Sequence, residues 1–150
     1  MKKYISILFS AILLIACTTS KSTVSQNADL TKYEYASIIN DEIYHIPAEL
    51  MEYEIQLYDA VETSGLQLIS DRRIYDLTPQ QLSGLLLVKY GVNKETEGGT
   101  VVTVNFIDYM TGRPIVSCRG VFGLGIDDAG NLRGAIKRVA KQISDTFPKK

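Results

Sequence analysis

The chain has no tryptophan, one histidine, two cysteines and four prolines in 150 residues. With His45 alone, a three-histidine or His-Glu-His metal centre cannot be built. An imidazole triad would need a serine and a carboxylate brought to His45 by folding, and no Gly-x-Ser-x-Gly elbow exists. Gly120, Gly123 and Gly125 follow a Gly-x-x-Gly-x-Gly spacing, which is neither a Walker loop nor a dinucleotide fingerprint. Asp127 and Asp128 beside them would repel a phosphate, so these glycines are expected to serve a bulge or close helix packing. Charge is nearly balanced, 16 basic against 17 acidic residues, so the excess of basic charge typical of a nucleic-acid binder is missing. No apolar run reaches the roughly 20 residues of a membrane span. No catalytic residue, cofactor site or metal site emerges, and a non-enzyme is expected.

What is present begins at the N-terminus. Lys2 and Lys3 precede an apolar run over 5–16, broken only by Ser6 and Ser10, that leads through small residues into Cys17. A basic start, a short apolar stretch and a small-residue processing site form an export signal. The four residues Leu14-Ile15-Ala16-Cys17 resemble the lipobox of bacterial lipoproteins. That resemblance implies cleavage before Cys17, a diacylglyceryl group on its thiol and acylation of its new amine. The competing readings are an uncleaved hydrophobic N-terminus and an ordinary secretory signal with an incidental cysteine. Thr18 is not the aspartate that retains lipoproteins in the inner membrane, so the resemblance implies an outer-membrane anchor facing the periplasm. Two or more acyl chains hold stably, each buried CH₂ contributing about 0.8 kcal/mol.

Removing residues 1–16 takes Lys2 and Lys3 away and leaves 134 residues, with 14 basic groups against 17 acidic ones and a formal charge of −3. No polybasic cluster beside Cys17 adds electrostatic adsorption to the membrane. A lipidated Cys17 leaves Cys118 without a disulfide partner, and its apolar strand context predicts a buried thiol. Residues 17–28 are expected to be the lipidated cysteine and a flexible tether, because 18–28 are small and polar. Eleven such residues reach about 18 Å root-mean-square, enough to lift a domain clear of the headgroups. Residues 29–150 then form one domain.

Within that domain, 33–39 is expected as a first strand rich in Tyr and Ile. Residues 48–64 predict a helix, with Leu50, Tyr53, Leu57, Ala60 and Val61 on the apolar face and Met51, Ile55 and Tyr58 widening it. Gly65 is its stop. A short strand at 66–69 and a capped turn at Thr78-Pro79-Gln80-Gln81 follow. Leu85 to Val88 lacks alternation, as in a strand covered on both faces or running through the middle of a sheet. Residues 94–99 are expected to be an exposed turn. Residues 100–108 and 115–124 alternate around Thr111-Gly112 and predict a long hairpin. Asp127 or Asp128 caps a final helix whose stripe is Leu132, Ala135, Ile136, Val139, Ile143 and Phe147, and Pro148 ends it. The order β-α-β-β-β-β-α predicts a two-layer α+β domain: a mixed, mostly antiparallel sheet of about five strands under two amphipathic helices.

Several of these motifs resemble a group of small bacterial outer-membrane lipoproteins known as a domain of unknown function. They are Asp29-Leu30-Thr31-Lys32-Tyr33 soon after the lipobox, Gly65 after the first helix, the run Gly99-Thr100-Val101-Val102-Thr103-Val104 with Asp108 and Thr111-Gly112, and the closing Phe147-Pro148. The returning hairpin strand departs from that group, with Ser117 or Cys118 in place of an aromatic. In topology alone the domain is also similar to the periplasmic domains of the curli-secretion lipoprotein and of the lipoprotein activators of peptidoglycan synthases. These resemblances supply no catalytic residue.

His45 is expected at a helix entrance, and Asp127-Asp128 as a cap rather than an acid–base pair; the remaining oxygen ligands of an EF-hand are absent. Nine tyrosines are spread along the chain. Tyr33, Tyr35, Tyr44 and Tyr53 are candidates for a partner-binding face, since tyrosine is enriched at interfaces. The leading expectation is a membrane-tethered, non-enzymatic module that binds another envelope protein or copies of itself, with no nucleic-acid partner, through a sheet edge that accepts a strand. The alternatives are a periplasmic small-ligand-binding or hydrolytic domain and an envelope-structural protein.

Overall fold

A computed structural model describes residues 20–39, 48–94 and 99–147, with 48–50 as backbone only. Cys17, Tyr44, His45, Pro47, Pro148 and the turn at 95–98 lie outside these residues. The strands are β1 (Lys21–Val24), β2 (Tyr35–Ile38), β3 (Gln67–Leu68), β4 (Leu85–Lys94), β5 (Thr100–Asp108) and β6 (Pro114–Phe122). The α-helices are α1 (Ala48–Thr63), α2 (Pro79–Ser83) and α3 (Asp128–Thr146), with 3₁₀ turns at Leu30–Lys32 and Asp71–Asp76. One mixed sheet runs in the order β1-β6-β5-β4-β2-β3. β2 is parallel to β3 and β4, and the other pairings are antiparallel. This is the expected α+β architecture with a mixed, mostly antiparallel sheet; the sheet is open and has one strand more than expected.

The extra strand corrects the tether. Lys21–Val24 pairs with β6 in the register Lys21↔Arg119 to Val24↔Val116. All four side chains are exposed, so no alternating apolar pattern marks the strand; the backbone ladder holds it, extended by Ser25 N–H donating to the Ile115 carbonyl at 2.9 Å. Only residues 18–20 then separate Cys17 from the first strand.

The hairpin pairs as its alternation requires. Val102, Val104 and Phe106 of β5 and Val116 and Cys118 of β6 are buried in one core with Leu132, Ile136, Val139 and Ile143 of α3. Phe106 meets Phe147 edge-on, ring centroids 4.7 Å apart. Helix α3 lies close on β6 because position 120 has no side chain: a Cβ there would sit 2.4 Å from the Ala135 carbonyl oxygen. Tyr53, Leu57, Ala60 and Val61 of α1, spaced as one helical face, join the same core. Gly65 ends the segment at φ 88°, a left-handed position that favours glycine. The flank expected to widen the apolar face instead meets solvent, with Met51 57% and Ile55 62% exposed.

Shorter elements follow local chemistry. Thr78 and Gln81 form a reciprocal capping box with Pro79 in the first turn. The strand expected over 33–39 is β2 and starts at Tyr35, because Asp29 accepts from Thr31 N–H at 3.0 Å and winds residues 30–32 into a 3₁₀ turn. β4 runs to Lys94, beyond the apolar Leu85–Val88 stretch, because its polar half pairs in full register with β5.

Candidate functional site

The most strongly perturbed carboxyl among the described residues is Asp108, at the end of β5 and only 3% exposed. Its Oδ2 accepts from Lys32 Nζ at 2.9 Å and from the Tyr33 hydroxyl at 2.7 Å. Its Oδ1 accepts from Thr111 N–H at 2.8 Å and Thr111 Oγ1 at 3.0 Å. Burial pushes this carboxyl upward, but Lys32, Tyr33 and the two Thr111 donors outweigh it and hold it well below the usual carboxylate range. Burial raises the Tyr33 hydroxyl, and the bond to Asp108 adds to that rise. All four carboxylate contacts are internal. The cluster therefore ties the Asp29–Tyr33 segment to the hairpin turn, and joins two motifs that the sequence shows only as separate runs. The order of those motifs was its only sequence signal.

Of the four tyrosines expected on a partner face, Tyr44 lies outside the described residues, and the other three are not exposed. Tyr33 is 2% and Tyr53 7% exposed, both in the core. Tyr35 is half-buried, its hydroxyl accepting from Gln81 Nε2 at 3.4 Å. Tyr90, not singled out from sequence, donates to Glu54 Oε1 at 2.7 Å and ties β4 to α1. Burial, then the Glu54 carboxylate, pushes its hydroxyl well above the usual phenol range. Cys118 is fully buried, and burial raises its thiol to about 11, which keeps it inert at neutral pH. Asp127 caps α3, Oδ1 accepting from Gly130 N–H at 2.7 Å. Asp128 pairs with Lys94 across the surface.

The end of the sheet carrying Lys94, Thr100 and Phe122, here the upper end, holds a cleft of about 450 Å³. Tyr53, Val92, Ala129 and Leu132 give it apolar walls, and the Lys94–Asp128 ion pair lies at its rim. The loop after β6 is fixed beside it: Gly125 N–H donates to Asn131 Oδ1 at 2.7 Å. On either side of that glycine, Leu124 is 81% and Ile126 106% exposed.

The two edges of the sheet differ. β3 contributes two residues, whereas β1 offers four exposed ones. Opposite Lys21 and just beyond β1, side chains of α3 cover the backbone of β6. Gln142 Oε1 accepts from Arg119 N–H at 3.1 Å and its Nε2 donates to the Arg119 carbonyl at 3.0 Å. Arg138 donates to the Val121 carbonyl while its guanidinium lies 4.7 Å from the Phe122 ring centroid. Strand addition at this end of β6 is thereby blocked, and the open ladder on this side of the sheet is that of β1.

No family model matches the chain, and no curated protein matches it in sequence. Among solved structures, a PDZ domain protein from Parabacteroides distasonis superposes with a TM-score of 0.56 at 13% identity, over 89% of this chain and 36% of that one. The chain thus spans little more than a third of that protein. PelC from Paraburkholderia phytofirmans, solved as a dodecamer, superposes at 0.52 with 15% identity, over 88% of this chain and 99% of PelC. A PelC variant dodecamer in another crystal form gives 0.53 at 16% identity, covering 87% and 99%. At these identities the likeness is one of fold.

Proposed function

We propose that this chain is a lipid-anchored lipoprotein of the outer membrane, facing the periplasm, whose α+β domain is a non-enzymatic module for binding a protein or assembling with its own copies. The observation that carries the reading is the β1 edge. A four-residue ladder lies open to solvent, while Gln142 holds the β6 backbone opposite Lys21 and Arg138 closes it at Val121 beyond. An open ladder adds a strand through main-chain hydrogen bonds, with side chains on alternate faces setting specificity. The likeness to nearly the whole of PelC, a protein solved as a dodecamer, supports self-assembly as one form of that binding. Lipidation of Cys17 rests on the lipobox alone.

The test places a photo-crosslinking residue at Thr23 in the full chain, expressed in living cells. A discrete adduct, either a second copy or one envelope protein, is the expected result, and the same probe at Lys141 on α3 is the control. No adduct from Thr23, or the same products from both positions, would overturn the edge as the binding surface. The cleft favours a second reading, a small-ligand site. Its volume lies in the usual range for such sites and its walls are mainly apolar.

A further inference from the structure

We propose that the β6–α3 loop enters the lipid interface beside the anchor, so that the upper end of the domain rests on the bilayer instead of standing off it. This rests on the lipoprotein reading of Cys17. Register sets the direction: Val24 pairs with Val116 and Lys21 with Arg119, so the chain preceding Lys21 leaves β1 toward the Phe122 end of β6. From Cys17 to Lys21 is four residue steps, at most about 14 Å of extended chain. From Arg119 to Phe122 is three steps along the strand, about 10 Å. An acylated Cys17 would therefore lie within reach of the loop at 123–127, and a bilayer holding those acyl chains would lie against that end.

The loop is built to meet it. Gly125 is fixed to Asn131 at 2.7 Å and Asp127 caps α3, so Leu124 and Ile126 are displayed outward from an ordered turn. Val92 and, in the first turns of α1, Met51 are 40% and 57% exposed at the same end; Tyr53 of α1 donates to the Ala129 carbonyl at the start of α3. Large apolar side chains gathered on one end of a domain mark an interaction surface. Asp127 and Asp128 flank the loop, so attraction to anionic lipid does not drive the contact. Insertion is apolar and should persist in high salt and on neutral lipid.

The chain contains no tryptophan, so Leu124→Trp in the full-length product, purified from expressing cells, is a single reporter. It is reconstituted in phosphatidylcholine vesicles with and without brominated acyl chains. The expected result is blue-shifted emission and at least about twofold quenching, unchanged by salt. Met110→Trp, on the hairpin turn at the opposite end and 62% exposed in the native residue, should stay water-like. Ile126→Trp repeats the measurement from the other side of Gly125. Emission and quenching at position 124 equal to those at 110 would overturn the proposal. The mass of the N-terminal peptide from the same preparation reads the anchor separately. A lipidated Cys17 with an unquenched Trp at 124 sinks the loop contact and leaves the anchor standing. A bare Cys17 sinks the anchor; quenching then supports the loop contact alone, and its absence overturns both.

Discussion

Asp108→Ala removes the acceptor of four hydrogen bonds at once, and the structure gives the size of the loss. Lys32 is half exposed and returns to water, so its share is about 0.5 kcal/mol. The Tyr33 hydroxyl belongs to a residue 2% exposed and stays buried without an acceptor, a cost of about 1–3 kcal/mol. The Thr111 donors lie at a surface turn and can be rewetted, for about 1 kcal/mol. The expected loss is about 2.5–4.5 kcal/mol, or a fall in Tm of about 8–15 °C for a domain of this size. Urea unfolding at pH 7 measures it, with m unchanged. Tyr33→Phe alone should cost about 1 kcal/mol, and the double variant should fall short of additivity by about as much.

The pH dependence follows from the direction of the shift. The folded carboxyl titrates below the unfolded one. Its stabilisation is complete above the unfolded value, about pH 4, and is lost as pH falls through the folded value. The stability gap between the native chain and Asp108→Asn should therefore narrow as pH falls below about 4. A gap equal at pH 7 and pH 2, or a loss for Asp108→Ala under about 1 kcal/mol, would refute the assignment of this node as a structural tie.

Gly120→Ala drives a methyl into the Ala135 carbonyl and the Val139 backbone, so it should destabilise by about 3 kcal/mol or more in thermal unfolding. Cys118, fully buried with its thiol raised to about 11, should resist maleimide at pH 7 in the native state and react within minutes in denaturant. Gln142→Leu deprives the Arg119 backbone of both side-chain partners. It should cost about 1–3 kcal/mol, read by urea unfolding as a lower midpoint with m unchanged.

Where side-chain periodicity reported burial, the sequence was readable. The 48–63 helix, the β5–β6 hairpin and the α3 stripe are cases in which one face is apolar because one face is covered. Gly65 and the Thr78 capping box were equally legible, since each answers a local backbone demand. Strand β1 was not. Lys21, Ser22, Thr23 and Val24 bury nothing, so their pairing with β6 is written only in backbone hydrogen bonds, which every sequence possesses. The same gap hid the exposure of Met51 and Ile55, whose residue types fit a buried flank that no described element covers. Tyrosine content could not separate a face from a core, because a phenol ring packs and its hydroxyl bonds in either setting. Tyr33 shows the difference lies in Asp108, 75 residues away. The candidate surfaces were legible only as a sheet edge of unstated position. Leu124 fits the end of the expected 115–124 strand, but that strand stops at Phe122 and leaves Leu124 and Ile126 exposed on either side of Gly125.

The pairing of β1 with β6 also imposes an order of events on folding. The first of the described strands to leave the ribosome docks on the last strand of the sheet. Its ladder must wait for almost the entire polypeptide to arrive. Contacts of such long sequence separation close late and slow the overall rate. A stalled or clipped product that ends before Pro114 would present Lys21–Val24 with no native partner.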